Sequence, residues 1–246
     1  MLRSILTVGV MMVLASVAGA ADTLEVWDAG TGNFEMYSGF GGVGATTAEQ
    51  SIGSSMLLGW GVARGFSAYV STALSADGNF DQTETELDLG AFGTVLDTDH
   101  LDLDLGLDMV AYGPGMSRMA VVPAFEVNLD HGPDLVSYGG FVRGAARMAG
   151  REVGGDEVRR HTDFNLTLGT YLTLSPRRQL VLEYDMTFHN KPEPGTPRVQ
   201  RGAVALGYNV LLSQRLELIS EARFQVPQED RDGDLGLLVG VIAALE

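Results

Sequence analysis

Residues Leu101–Tyr112 read LDLDLGLDMVAY, and this stretch decides how the chain folds. Side chains on a strand alternate with a period of two. Leu101, Leu103, Leu105, Leu107, Met109 and Ala111 therefore fall on one face. Asp102, Asp104, Gly106 and Asp108 fall on the other. A helix would scatter both sets around its circumference. The segment is a ribbon with one apolar and one acidic face.

The same alternation recurs along most of the sequence. Thr85, Leu87, Leu89 and Ala91 oppose Glu84, Glu86 and Asp88. Met119, Val121, Phe125, Val127 and Leu129 oppose Arg118, Glu126 and Asn128. Phe164, Leu166, Leu168, Leu172 and Leu174 oppose Asp163, Asn165, Thr167 and Thr173. Leu180, Leu182, Tyr184, Met186 and Phe188 oppose Glu183 and Asp185. The pattern predicts about twelve strands: Phe34–Ala45, Ser51–Val62, Phe66–Ala76, Thr83–Leu96, Leu101–Tyr112, Arg118–Leu129, Leu135–Met148, Thr162–Leu174, Leu180–Phe188, Arg201–Leu212, Leu216–Val226 and Leu235–Leu245. Ala149–Arg160 reads as a long charged loop, and residues 21–33 as a segment before the first strand that is either a small plug or a loose tail.

The N-terminus reads as an export signal. Arg3 supplies the positive start, Ile5–Val17 an apolar run too short to span a bilayer, and Ala18-Gly19-Ala20 a cleavage site. Residues 1–20 are thus expected to be removed, the alternative being an N-terminal anchor. No later run is long and apolar enough for a spanning helix. The chain has no cysteine, although small exported domains normally rely on disulfides. A large closed architecture would supply stability instead. The 16 basic and 32 acidic residues give a formal net charge of −16, which excludes nucleic acid and anionic lipid headgroups as electrostatic partners.

Connections after odd-numbered strands tend to be longer or more polar than those after even ones. The dyad repeat, the export signal and this loop asymmetry resemble Gram-negative outer-membrane β-barrels. The resemblance spans residues 34–246 and implies an all-β, transmembrane, antiparallel up-and-down barrel with both termini in the periplasm. In size it is similar to small twelve-stranded substrate channels and to the MetA-pathway family of phenol-degradation outer-membrane proteins. It departs at the last residues, Leu245-Glu246, where such barrels often end in an aromatic. The resemblance implies outer-membrane lipid and the barrel-assembly machinery as partners. Phe66, Tyr112, Phe164, Phe188 and Phe224, near strand ends, are candidates for interfacial girdles. A soluble β-sandwich with its apolar faces inside is the competing architecture.

In a barrel with lipid outside, the polar faces line the lumen. The candidate pore-lining acids are Glu84, Glu86, Asp88, Asp102, Asp104, Asp108, Glu126, Glu183, Asp185, Glu217 and Glu221. Arg118, Arg143 and Arg223, with Arg147 and Arg201, are candidate counter-charges. Facing acidic rows require water, cations or basic partners. The expectation is a passive channel or transporter whose acidic lumen favours small polar or cationic solutes. A salt-bridged interior without a substrate, in a structural or surface-interaction barrel, is the alternative, and twelve strands fit either a narrow or a filled lumen.

Enzyme signatures are absent. There is no G-x-S-x-G and no paired-histidine zinc spacing, so no catalytic or metal site and no cofactor is assigned. Asp99-His100 and Asp130-His131 fall in turns on the periplasmic side. Asp77–Asp81 and Asp230–Asp234 have oxygens at alternate positions, as calcium loops do, but neither completes an EF-hand.

Overall fold

The computed structural model describes residues 26–42, 50–80, 83–113, 116–131, 137–153, 157–190, 199–227 and 233–245. The expected signal peptide and its cleavage site lie outside them, as do Asp81, Gln82 and residues 230–232 of the two calcium-like loops.

The strands are β1 (Gly32–Gly41), β2 (Ser51–Ala63), β3 (Phe66–Asp77), β4 (Thr83–Asp97), β5 (Leu101–Tyr112), β6 (Arg118–His131), β7 (Tyr138–Val153), β8 (Glu157–Ser175), β9 (Arg178–His189), β10 (Val199–Ser213), β11 (Leu216–Gln225) and β12 (Leu235–Leu245). Each pairs with its neighbours in sequence, and β12 returns to β1, with Gly32 opposite Leu245 and Phe40 opposite Leu237. The result is a closed antiparallel barrel, which leaves no unpaired sheet edge.

The apolar face points outward. On β5, Leu105, Leu107 and Met109 are about half exposed, while Asp104, Val110 and Tyr112 are buried. Met56, Leu58, Leu74, Leu89, Met119, Leu129, Leu206 and Val239 continue this outer surface on other strands. In a water-soluble sandwich these are the side chains that would be inside, so the barrel with its greasy side out sets that architecture aside.

One end carries the tight connections. Arg64-Gly65, Pro176-Arg177 and Gln214-Arg215 are two-residue turns, and Gly65 takes a φ of +70° that disfavours a side chain. Register shifts beside these turns, at Gly61/Ala63, Thr173/Ser175 and Leu211/Ser213, and a fourth at Thr94/Leu96, tighten the rim. Gly32 and Leu245 lie at this same end. In mid-wall, the β6–β7 ladder lapses at Val122-Pro123, because proline has no N–H to give.

Three expectations need correction. Ala149–Arg160 is not a loop: β7 and β8 stay paired through Gly150–Arg160, Arg151–Arg159 and Glu152–Val158. The ladder is made of backbone hydrogen bonds, so charged side chains do not end it once the register is set. β1 begins at Gly32 and ends at Gly41 rather than running over Phe34–Ala45. Tyr112 is no girdle residue, because it shares parity with Asp104 and Asp108 and faces inward. Phe66, Phe164 and Phe224 do stand on the outer face, and Phe164 is opposite Phe188.

Candidate functional site: the charged inner face

Strand parity delivers the polar residues to one interior. The pairs Ser71–Asp88, Gly90–Asp108, Asp104–Glu126 and Glu126–Arg143 place the inner faces of β3 to β7 side by side. On the opposite wall, Thr167–Asp185, Glu183–Ala205 and Ala205–Arg223 do the same for β8 to β11. Glu84 and Glu86 on β4, Asp102 on β5, Arg118 on β6, and Glu217 and Glu221 on β11 share the inner parity.

Most of these charges are engaged. Arg143 Nε donates to Glu126 Oε2 at 2.7 Å, with Glu126 wholly buried. Arg147 Nη2 donates to Glu86 Oε2 at 3.1 Å, and its guanidinium lies 4.6 Å from the centre of the Tyr112 ring, a cation–π contact. Arg223 Nε donates to Glu221 Oε1 at 3.0 Å, and its Nη2 is 3.3 Å from Asp185 Oδ2. Hydroxyls hold other carboxylates: Tyr69 donates to Asp108 (2.7 Å), Ser71 to Asp88 (3.1 Å) and Thr167 to Asp185 (2.8 Å).

Some acidic oxygens are left over. Glu183 is 2% exposed and its Oε2 has no hydrogen-bond partner. Asp104 Oδ1 and Glu221 Oε2 are also buried without one. Glu183 is flanked across the ladder by Gly169 and Ala205, neither of which can neutralise it. Arg223 Nη1 is buried without a partner as well, so the excess on this inner face is one of number: its acidic side chains outnumber its arginines.

Sequence reasoning missed several inner residues. Glu35 is buried on β1 and accepts from Tyr37 at 2.8 Å. His189 Nδ1 lies 2.7 Å from Asp163 Oδ1. Glu35, Tyr37 and Asp163 already lie within the expected strands, where parity flags them, and His189 is reached once the ninth strand is extended by one residue. Inner aromatics lie flat over cross-strand glycines: Tyr37 over Gly240, Tyr69 over Gly90, Phe141 over Gly169 and Tyr171 over Gly139. At each of these glycines a Cβ would collide with the aromatic side chain, at Gly139 with the Tyr171 hydroxyl and the Leu129 carbonyl, so the sequence uses glycine to seat the aromatic. His100 and His131 come together at the short-turn end, with ring centres 6.1 Å apart. Among the described residues no His, Asp or Glu group is arranged to hold a metal. Of the Arg201 side chain nothing is described.

No family model matches the chain, and neither does any curated protein. Solved structures do share its fold. An outer membrane channel from Pseudomonas putida F1 superposes with a TM-score of 0.64 at 11% identity, covering 92% of this chain and 100% of that one. The NanC porin gives 0.62 at 9% identity, covering 85% and 98%. The KdgM porin in complex with disordered oligogalacturonate gives 0.58 at 10% identity, covering 87% and 99%. At such identities the likeness is one of architecture: this chain has the twelve-stranded barrel fold of outer-membrane porins and channels.

Proposed function

We propose that the chain is a passive outer-membrane channel for small solutes, with an interior that favours cations. The observation carrying this reading is the number of inner-face carboxyls, with Asp102, Asp104 and Asp108 in one row on β5, set against few inner-face arginines. A carboxylate inside a narrow, partly dry lumen attracts cations more strongly than one at an open surface. At physiological salt the attraction reaches only about 8 Å, so it acts at the narrow levels of the lumen. Solutes move down their own gradient, since no nucleotide or coupling motif is present in the sequence. The KdgM porin, of like fold, is recorded with an oligogalacturonate, which is anionic by its chemistry. The acid surplus here disfavours such a polyanion and favours small polar or cationic solutes.

In this reading the protein sits in the outer membrane of a Gram-negative bacterium. It is delivered through a Sec-type signal peptide and inserted by the barrel-assembly machinery, with lipid around its outer face. Kinship with the MetA-pathway barrels belongs to the same proposal and rests on size and strand number. No enzymatic step is assigned.

Reconstitution in planar bilayers tests the function. Discrete conductance steps are expected from the refolded, heat-modifiable protein. A folded barrel that inserts without conducting would be a structural or surface-interaction protein instead.

A further inference from the structure

Residues 26–31, which precede β1, do not trail away from the barrel. Thr31 N donates to Asp28 O (2.9 Å) and Gly30 takes a φ of +89°, which together fold the backbone into a hook. The hook pairs with the end of β2: Gly30 N donates to Gly61 O (2.9 Å) and Gly61 N to Thr31 O (2.8 Å). It carries Trp27 to the inner wall. Trp27 N donates to Ser67 Oγ (2.9 Å), and the Asn33 amide oxygen accepts from Trp27 Nε1 (2.8 Å).

The seat for this indole is built. Its ring lies against Gly59, where a Cβ would collide with the Cη2 edge of the six-membered ring. Two residues on, a Cβ at Gly61 would collide with the backbone of Trp27 and Asp28. Phe92 packs on the indole at 5.4 Å between ring centres, and Tyr69, the partner of Asp108, packs on Phe92 at 5.7 Å. Glycine in a strand weakens it, so two inner-face glycines beneath one segment mark a close approach. Trp27 is only 7% exposed. A ring lying on the wall of an open lumen would show its second face to water. Here little of the ring is left to water, so side chains close in on it from more than the wall.

We infer that residues 26–31 are an internal strap that closes the lumen at its short-turn end, and that the pore conducts fully when Trp27 leaves its seat over Gly59. The strap is suited to move. Two backbone hydrogen bonds tie it to β2, against a full ladder for every barrel strand, and Trp27 adds two more. Its departure uncovers Gly59 and Gly61, the smallest lining a wall can have. It also uncovers Phe92, behind which stand Tyr69 and its partner Asp108.

The inference rests on the channel reading, and the experiment separates the two. Trp60, the other tryptophan, lies on the outer face, so Trp60→Phe leaves Trp27 as the sole reporter. In the refolded full chain, Trp27 emission should be blue-shifted and shielded from acrylamide. Gly59→Ala should shift it red, raise quenching several-fold, and raise single-channel conductance several-fold. Trp27→Ala should raise conductance alike, and heat-modifiable gel mobility confirms that each variant is folded. If Gly59→Ala leaves Trp27 shielded, the seat is wrong. If it exposes Trp27 without changing a measurable conductance, the strap is no gate although the channel stands. If no variant conducts while Trp27 is exposed, the channel reading fails and the gate with it.

Discussion

Arg147 on β7 and Glu86 on β4 meet at 3.1 Å although β5 and β6 stand between them in the wall. The contact is a chord across the curve of the barrel, and it narrows the lumen at the level of Tyr112. Both side chains keep partial contact with solvent, so the pair adds no more than about 1 kcal/mol to stability. Its effect falls on the interior field. Arg147→Met removes a fixed positive charge and a bulky guanidinium, so both conductance and cation preference should rise while the unfolding midpoint moves little. Current–voltage curves in a salt gradient provide the check.

Arg143 and Glu126 differ, because Glu126 is fully buried. Removing the arginine leaves a buried carboxylate without its 2.7 Å partner. Arg143→Met should cost about 3–5 kcal/mol. Arg143→Met with Glu126→Gln should recover a large part of that loss, since the uncompensated charge is gone. Urea unfolding of the reconstituted barrel measures both, and equal losses would contradict the assignment.

Two inner-face glycines separate cleanly. At Gly90 a Cβ would strike the Tyr69 ring and Asp108 Oδ1, whereas at Gly106 the nearest atom is 3.5 Å away, an ordinary contact. Gly90→Ala should destabilise by about 1–3 kcal/mol through overpacking and break the Tyr69–Asp108 hydrogen bond. Gly106→Ala should stay within about 0.5 kcal/mol of the parent. Parallel unfolding curves decide it.

The outer face answers to lipid. Leu107 is 53% exposed on mid-β5, opposite in parity to Asp108. Leu107→Arg should cost about 2–4 kcal/mol of folding into bilayers. The same arginine placed at Asp108 should cost far less, because it faces the charged interior. A similar cost at both positions would contradict the orientation of the strand.

Much of this was legible in the sequence. The Leu/Asp alternation of Leu101–Tyr112 coincides with β5, and parity along each strand puts Glu84, Asp104, Glu183 and Arg223 on the inner side. A period of two tells faces apart because the pleat itself has that period. It says nothing of who meets across the lumen. Arg147 finds Glu86 rather than a residue on an adjacent strand because barrel curvature, absent from the sequence, brings β4 and β7 within reach. Nearness to a strand end suggests a girdle position for Tyr112, but parity sets the face and turns the ring inward. The seat of Trp27 was hidden for a related reason: Gly59 and Gly61 read as generic strand glycines until the segment lying on them is known.

The reversal potential in planar bilayers under a potassium chloride gradient tests the central claim most directly. The parent barrel should show the sign of cation preference, and Asp102→Asn, Asp104→Asn and Asp108→Asn combined should move that potential toward zero. An anion-preferring parent, or a potential that the three substitutions leave unchanged, would contradict the acidic-lumen account.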